Sequence, residues 1–202
     1  MKKEAAKALL KAKAVFFRPE EPFIWASGIE SPIYCDNRLV LTGPENRKVI
    51  EEGLMELIRT KYPQTEALFG TATAGIPHAA IAGYAMDLPM GYVRSGAKDH
   101  GRANRIEGKI EPGQKVLVVE DLISTGGSVI SAAKALQEAG ADVIGVVSIF
   151  SYNLEKAEKA FAEAGLEYVS LTDFDTACEA AAETGYIKPL DIDYLIDWRN
   201  KL

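Results

Sequence analysis

The alternation of apolar and polar positions after residue 66 predicts strands and helices in turn. Residues 116–119 (VLVV) and 143–147 (VIGVV) are apolar at nearly every successive position, which is typical of strands buried on both faces. The stretch between them has apolar residues at helical spacing up to Gly140. These residues are Val129, Ala132, Ala133 and Leu136. Strands that alternate with helices indicate an α/β protein with a mostly parallel central sheet flanked by helices.

The same periodicity gives the order of the other elements. Strands are expected at residues 67–70, 90–94, 115–119, 142–150 and 167–171. Helices are expected near residues 76–86, 154–165 and 174–184, besides the one that stops at Gly140 and a last one in the tail. In open α/β sheets the ligand lies at the carboxyl ends of the strands. The loops after Gly70, Arg94 and Val119 are therefore expected to meet at one rim.

The first third of the chain follows a different pattern. A short amphipathic helix is expected near residues 3–13, and the stretch after it, rich in aromatics, Pro and Gly, favours short strands and turns. Residues 42–45 (TGPE) are typical of a capping box, in which Thr42 caps the following helix. The apolar face of that helix would be Ile50, Leu54, Leu57 and Ile58. The length suits a single domain over residues 1–202.

Residues 116–128 (VLVVEDLISTGGS) combine a buried strand, an acidic pair and a turn rich in hydroxyls and glycines. Glu120 and Asp121 directly follow the apolar run, and we expect both carboxylates to be solvated at the strand end. The glycines let the backbone expose its N–H groups, and the helix that begins there has about half a positive charge at its N-terminus. An acidic pair repels phosphate, so it suits sugar hydroxyls or a magnesium ion beside them.

Simpler or competing interpretations of this stretch explain less. A plain strand, turn and helix with Ser128 as N-cap leaves the acidic pair unexplained. The chain contains neither G-x-G-x-x-G nor G-x-x-x-x-G-K-[ST], which disfavours a dinucleotide fold or a nucleoside triphosphatase.

Two further loops at the expected rim suit phosphate groups. In residues 94–105, four Lys or Arg residues against one Asp give a local net charge of +3 in a chain of −6. Such a loop suits closure over a polyanion such as pyrophosphate, although a solvated surface loop has the same composition. Residues 70–75 (GTATAG) offer backbone N–H groups to oxygens or form a simple tight turn.

Composition narrows the class of protein. The net charge of −6 and a pI of about 5.1 disfavour general binding of nucleic acid. No window approaches the roughly 18 apolar residues of a membrane span, and lysines interrupt the N-terminal apolar run. Cys35 and Cys178 show neither a disulfide framework nor metal spacing. We therefore expect a cytoplasmic protein with reduced thiols. His78, Trp25 and Trp198 are better explained as packing, surface or subunit-contact residues than as ligands.

Three segments resemble known families. Residues 116–128 resemble the ribose-phosphate signature of type I phosphoribosyltransferases. Lys98-Asp99-His100-Gly101 resembles the catalytic loop of orotate phosphoribosyltransferases. Residues 23–36, with Ser-Gly, Ser-Pro and flanking aromatics, resemble the hood segment of the same enzymes. The resemblance implies the type I phosphoribosyltransferase fold with a small hood, formed by about residues 1–40 and the C-terminal tail.

The resemblance also implies the reaction and a role for each motif. The reaction would join orotate to phosphoribosyl diphosphate, with Mg²⁺, in a homodimer whose Lys98 loop reaches the neighbouring subunit's site. Lys98 and His100 would act on the leaving pyrophosphate, with Asp99 as a further catalytic candidate. Ser124 would also touch orotate. Phosphoribosyl diphosphate would be bound by Arg94, Lys98, His100, Glu120, Asp121, Leu122, Ile123, Ser124, Thr125, Gly126, Gly127 and Ser128.

This chain departs from many orotate enzymes at positions that bear on the base. Ala26 and Ser95 stand where many members have basic residues, and Tyr152 lies where some have an arginine for the orotate carboxylate. Thr73 and Ala74 replace an aromatic–lysine pair. The residue that binds the orotate carboxylate is therefore not identified. Two alternatives remain: a phosphoribosyltransferase for another base, and a regulator that senses phosphoribosyl diphosphate, for which no helix-turn-helix extension is found.

Overall fold

The central sheet has six strands, and its carboxyl rim carries the motifs. The computed structural model describes residues 1–24, 30–96 and 105–202. The strand order is β10-β9-β8-β5-β6-β7, and all pairs are parallel except β6 with β7. The strands are β5 (Ala67–Thr71), β6 (Met90–Val93), β7 (Ile106–Glu107), β8 (Lys115–Ile123), β9 (Asp142–Ser151) and β10 (Tyr168–Asp173). The prediction of a mostly parallel α/β sheet is confirmed.

Helices connect the parallel strands, as the periodicity predicted. They are α1 (Lys2–Lys11), α2 (Pro44–Lys61), α3 (Gly75–Met86), α4 (Gly127–Glu138), α5 (Glu155–Ala164), α6 (Phe174–Glu183) and α7 (Asp191–Arg199). The apolar faces predicted for α2 and α4 are buried throughout. The β8 run Val116–Val119 is fully buried, because strands flank it and helices cover both faces. None of these described helices combines the length and apolar character that crossing a membrane requires.

The N-terminal segment forms two small sheets outside the main one. Strand β1 (Val15–Phe17) pairs antiparallel with β4 (Ile33–Cys35), and β2 (Phe23–Ile24) pairs with β3 (Glu30–Ser31). A 3₁₀-helix, Asn37–Thr42, then leads into α2. The short strands and turns expected here are confirmed.

The capping box predicted at residues 42–45 is wrong in one respect. The N-cap of α2 is Gly43, and Pro44 occupies the first turn as expected. The Thr42 hydroxyl donates instead to the Leu39 carbonyl at 3.0 Å, because Thr42 ends the preceding 3₁₀-helix.

Aromatic contacts join the last helix to the body and to the N-terminal segment. The indole of Trp198 stacks on Phe174 with ring centroids 6.4 Å apart, and its Nε1 donates to the Glu30 carbonyl at 3.0 Å. The Arg199 guanidinium forms an ion pair with Asp175 at 3.0 Å. His78 is fully buried on α3 and lies 2.6 Å from Glu51 on α2. His78 and Trp198 thus have packing roles among the described residues.

A bulge in the β8–β9 ladder makes one glycine necessary for the fold. Gly145 has φ of +155°, and a Cβ there would lie 2.6 Å from the Tyr62 ring. We expect Gly145→Ala to destabilise the protein by about 2–4 kcal/mol, from backbone strain and overpacking together. Urea unfolding of both proteins measures this.

The control for this variant is Gly165→Ala. Gly165 also has positive φ, +64°, but a Cβ there meets nothing within 4 Å. It should cost only about 1 kcal/mol. Equal losses at the two sites would show that the Tyr62 contact is unimportant.

Candidate active site

The acidic pair lies inside β8 and not after it. β8 continues past Val119 to Ile123, where it pairs with β9 alone, since its register with β5 ends at Gly70 and Val119. The strand therefore carries Glu120 and Asp121 beyond the point where β5 leaves it. This gap opens the rim beside the two carboxylates.

Glu120 is buried, which corrects the expectation that both carboxylates are solvated. Its exposed fraction is 7%, whereas Asp121 is half-buried. Burial raises the pKa of Glu120 from 4.5 to about 8, and a hydrogen bond with Thr71 partly offsets this shift. Glu120 also accepts a hydrogen bond from the Asp121 backbone N–H at 3.0 Å. The pair therefore has two different environments, with Glu120 inside and Asp121 at the surface.

The turn after β8 presents an open helix N-terminus. Gly126 is the N-cap of α4 with φ of +79°, and no side chain of the described residues caps it. Ser128 is therefore not the N-cap but lies in the first turn. Ser124, Thr125, Gly127 and Ser128 are exposed at this turn. Free N–H groups and hydroxyls around one helix start form an anion site.

The loop from β5 to α3 meets the acidic pair. The Thr71 hydroxyl donates to the Val119 carbonyl at 3.3 Å and also contacts the Glu120 carboxyl. A Cβ on Gly75 would overlap the Val119 carbonyl, so only glycine allows this approach. The loop thus lies directly beside β8, and Thr71 is a site residue that the sequence interpretation did not single out. Its place in GTATAG, next to a rim, was the available signal.

The base of the basic loop is closed by backbone pairing. The Arg94 N–H donates to the Arg105 carbonyl at 2.8 Å, and Arg105 Nε donates to the Arg94 carbonyl at 3.0 Å. The Arg94 side chain lies 3.8 Å from Glu107. Both ends of the loop are therefore anchored at the β6–β7 edge of the rim. The predicted residues Lys98, Asp99 and His100 lie outside the described residues, as do Trp25, Ser27 and Gly28 of the hood.

Tyr152 occupies the core at the end of β9. Its exposed fraction is 3%, and its ring packs edge-on against Phe150 at 5.4 Å and against Phe174 at 6.1 Å. The Arg199 guanidinium donates to the carbonyls of Tyr152 and Asn153. Tyr152 is thus a buried aromatic, and a cation that contacts its backbone comes from α7.

Ionisation of the buried Glu120 opposes folding. Because its pKa in the folded protein is raised from 4.5 to about 8, the folded state binds more protons than the unfolded state between these values. Stability from this group is therefore lost as pH rises through that window. We expect Glu120→Gln to stabilise the protein by about 1–3 kcal/mol at about pH 8.5, and by much less near pH 5. Urea unfolding at both pH values measures this.

Glu138→Gln is the matched control, because Glu138 is exposed on α4. It should change stability little and equally at the two pH values. A Glu120→Gln variant whose advantage does not grow with pH would contradict the assigned burial cost.

Similar proteins match almost the whole chain. The phosphoribosyl transferase domain family matches residues 40–180. Orotate phosphoribosyltransferase of Bacillus subtilis (strain 168) is 57% identical over 199 residues, which cover 98% of this chain and 92% of that protein.

Solved structures share the fold. The crystal structure of orotate phosphoribosyltransferase from Aeropyrum pernix has a TM-score of 0.78 and 30% identity, over 90% of this chain and 98% of that one. The enzyme of Mycobacterium tuberculosis H37Rv in complex with 5-phospho-α-D-ribosyl 1-diphosphate has a TM-score of 0.65 and 27% identity, over 87% of this chain and 98% of that one. The family model matches most of the chain, and a relative aligned over 92% of its own length is 57% identical. This chain therefore belongs to the orotate phosphoribosyltransferases of the phosphoribosyl transferase domain family.

Proposed function

We propose that this chain transfers the ribose 5-phosphate group of phosphoribosyl diphosphate to orotate, giving orotidine 5′-monophosphate and pyrophosphate. The observation that carries the proposal is the order of two features in the chain: the carboxylate pair lies near the end of β8, and the open N-terminus of α4 follows in the next turn. Two relatives that are 57% identical to this chain over 199 residues are named orotate phosphoribosyltransferase.

The turn at residues 124–128 would bind the 5′-phosphate. Its exposed hydroxyls lie next to the first N–H groups of α4 in the chain, and the helix dipole favours a dianion there. Gly126 has to remain glycine, because a Cβ would lie 2.7 Å from Phe161. Leu122 and Ile123 would contribute backbone contacts, and Ser124 would also touch orotate.

The acidic pair would bind the hydroxyls of the ribose that carries this 5′-phosphate. In the displacement at C1, the bond to the diphosphate oxygen breaks with its electron pair, and the orotate nitrogen forms the new bond and gives up its proton to the departing pyrophosphate. Positive charge develops on the sugar ring, and carboxylates next to the ring stabilise it. The same positive charge would lower the raised pKa of Glu120 and favour its ionised form.

The leaving pyrophosphate would be bound by the basic loop and the loop at residues 70–75. Arg94 lies at the rim, and Lys98 and His100 belong to the segment that it anchors, with Asp99 beside them. Backbone N–H groups of residues 72–75 would add donors. The work is positioning and charge stabilisation, and it needs no covalent intermediate.

A magnesium ion fits the donor set as a companion of the substrate. Among the described residues, no group of three or more His, Cys, Asp or Glu side chains could hold a metal alone. Two adjacent carboxylates supply hard oxygen donors, and Mg²⁺ in proteins commonly takes one or two carboxylates plus substrate phosphates. Asp121, the more accessible of the pair, would hold it. When bound, Mg²⁺ would neutralise charge on the diphosphate.

The chain would work as one domain in a homodimer. Helix α3 contains no Asp, Glu, Lys or Arg, and its Tyr84 side chain is 93% exposed. Such an uncharged helix face suits a second copy of the chain. The Lys98 loop would then reach the neighbouring site.

The Trp198–Glu30 contact supports a hood built jointly from the first 40 residues and the tail. Reduced Cys35 and Cys178 suit the cytoplasm.

The base is tested directly. With Mg²⁺ and phosphoribosyl diphosphate, the purified protein should consume orotate and release pyrophosphate, followed by the loss of orotate absorbance. Adenine, hypoxanthine and uracil under the same conditions are the controls. Consumption of one of these bases, without orotate, would show that the base assignment is wrong.

Subunit sharing is tested by mixing two inactive variants. Lys98→Ala and Asp121→Ala should each lower kcat by about 10²–10³-fold with little change in melting temperature. If the loop reaches across, mixed dimers have one site with both residues intact. Equal mixing and subunit exchange should then restore about one quarter of the wild-type rate. A mixture no faster than its components would contradict a shared site.

A further inference from the structure

Two side chains hold the backbone of Asp121. Its N–H donates to the Glu120 carboxyl at 3.0 Å, and its carbonyl accepts a hydrogen bond from Asn37 Nδ2 at 2.8 Å. The pairing of β8 with β5 ends two residues earlier, at Val119. Beyond Val119, where β5 no longer pairs with β8, the Asn37 amide donates a hydrogen bond to the β8 backbone, as an adjacent strand would do.

Asn37 is itself fixed on both sides. Its exposed fraction is 1%, and its Oδ1 accepts a hydrogen bond from Cys35 Sγ at 3.4 Å. Burial raises the pKa of the Cys35 thiol, and the nearby Asp121 carboxylate raises it further, so the thiol keeps the proton that it donates. The orientation of the Asn37 amide is therefore determined, with Nδ2 towards β8. Asn37 begins the 3₁₀-helix and is separated from β4 only by Asp36.

We propose that Asn37 is a positioning residue of the ribose site, which sets the direction of the Asp121 carboxylate through the Asp121 carbonyl. The inference rests on the proposed function, since that function assigns Asp121 to the ribose hydroxyls and magnesium. Because protein groups engage its amide at both ends, Asn37 would act through Asp121 and not by contact with the substrate. The same bond ties the N-terminal hood segment to the catalytic strand, across 84 positions of sequence.

Loss of the Asn37 donor should displace the carboxylate. A buried carbonyl left without a donor costs about 1–3 kcal/mol, and the part-buried Asp121 carbonyl would relieve its share of this cost if the peptide after Asp121 rotated towards another donor or water. Rotation of that peptide moves the Asp121 side chain, and contacts to a bound substrate weaken with displacements of less than 1 Å. The effect should fall on phosphoribosyl diphosphate, since the orotate contacts assigned here do not include Asp121.

The test measures binding of phosphoribosyl diphosphate with Mg²⁺ by calorimetry, without any base, together with the KM for orotate. Asn37→Leu keeps the volume and removes the donor. We expect the Kd of phosphoribosyl diphosphate to rise by about five- to twentyfold, and the KM for orotate to change less than twofold. Asn37→Asp exchanges the donor for an oxygen at the same position and should show the same pattern if Asn37→Leu fails to fold.

Ser31→Ala is the matched control. Ser31 is as deeply buried in the same segment, but its hydroxyl donates to the Ile33 carbonyl at 2.6 Å. It should leave the Kd at the wild-type value, even if its melting temperature falls. A wild-type Kd in both Asn37 variants, or an equal rise in Ser31→Ala, would overturn the inference. Wild-type protein that binds phosphoribosyl diphosphate but consumes no orotate would overturn only the base assignment, because the calorimetric comparison does not involve the base.

Discussion

The site depends on a carboxylate placed in the interior of the sheet. Glu120 is buried at the end of β8, and its burial raises its pKa to about 8. A charge in that place is unfavourable without a cationic partner close by. Thr71 and Asn37, from two other segments, both contact this part of β8. The protein thus gives up some stability to keep this carboxyl group at the rim.

Much of the fold could be predicted because buried parallel strands leave a strong pattern. Runs such as residues 116–119 and the helical spacing from Val129 to Leu136 depend on local periodicity alone, and both elements form as expected. The open helix start at residues 124–128 was also predictable, since glycines and hydroxyls at a helix start have a local physical reason. The prediction that Glu120 is solvated was wrong because β8 continues beyond the apolar run. Pairing with β9, and not the local sequence, determines how far β8 extends.

Residues that act over long sequence separations could not be predicted. Asn37 contacts Asp121 across 84 positions, and Trp198 contacts Glu30 across 168. No spacing rule connects such positions, because the packing of distant segments brings them together. A local contact can also defeat a local motif. Residues 42–45 fit the pattern of a capping box, but the Thr42 hydroxyl bonds to the 3₁₀-helix before it instead of capping α2.

The contact between Trp198 and Glu30 also bears on the order in which the molecule is completed during synthesis. Glu30 is synthesised 168 residues before its partner Trp198. All strands of the central sheet, which end by residue 173, are made before that partner. The sheet can therefore form while the segment that resembles the hood still lacks its contact with α7.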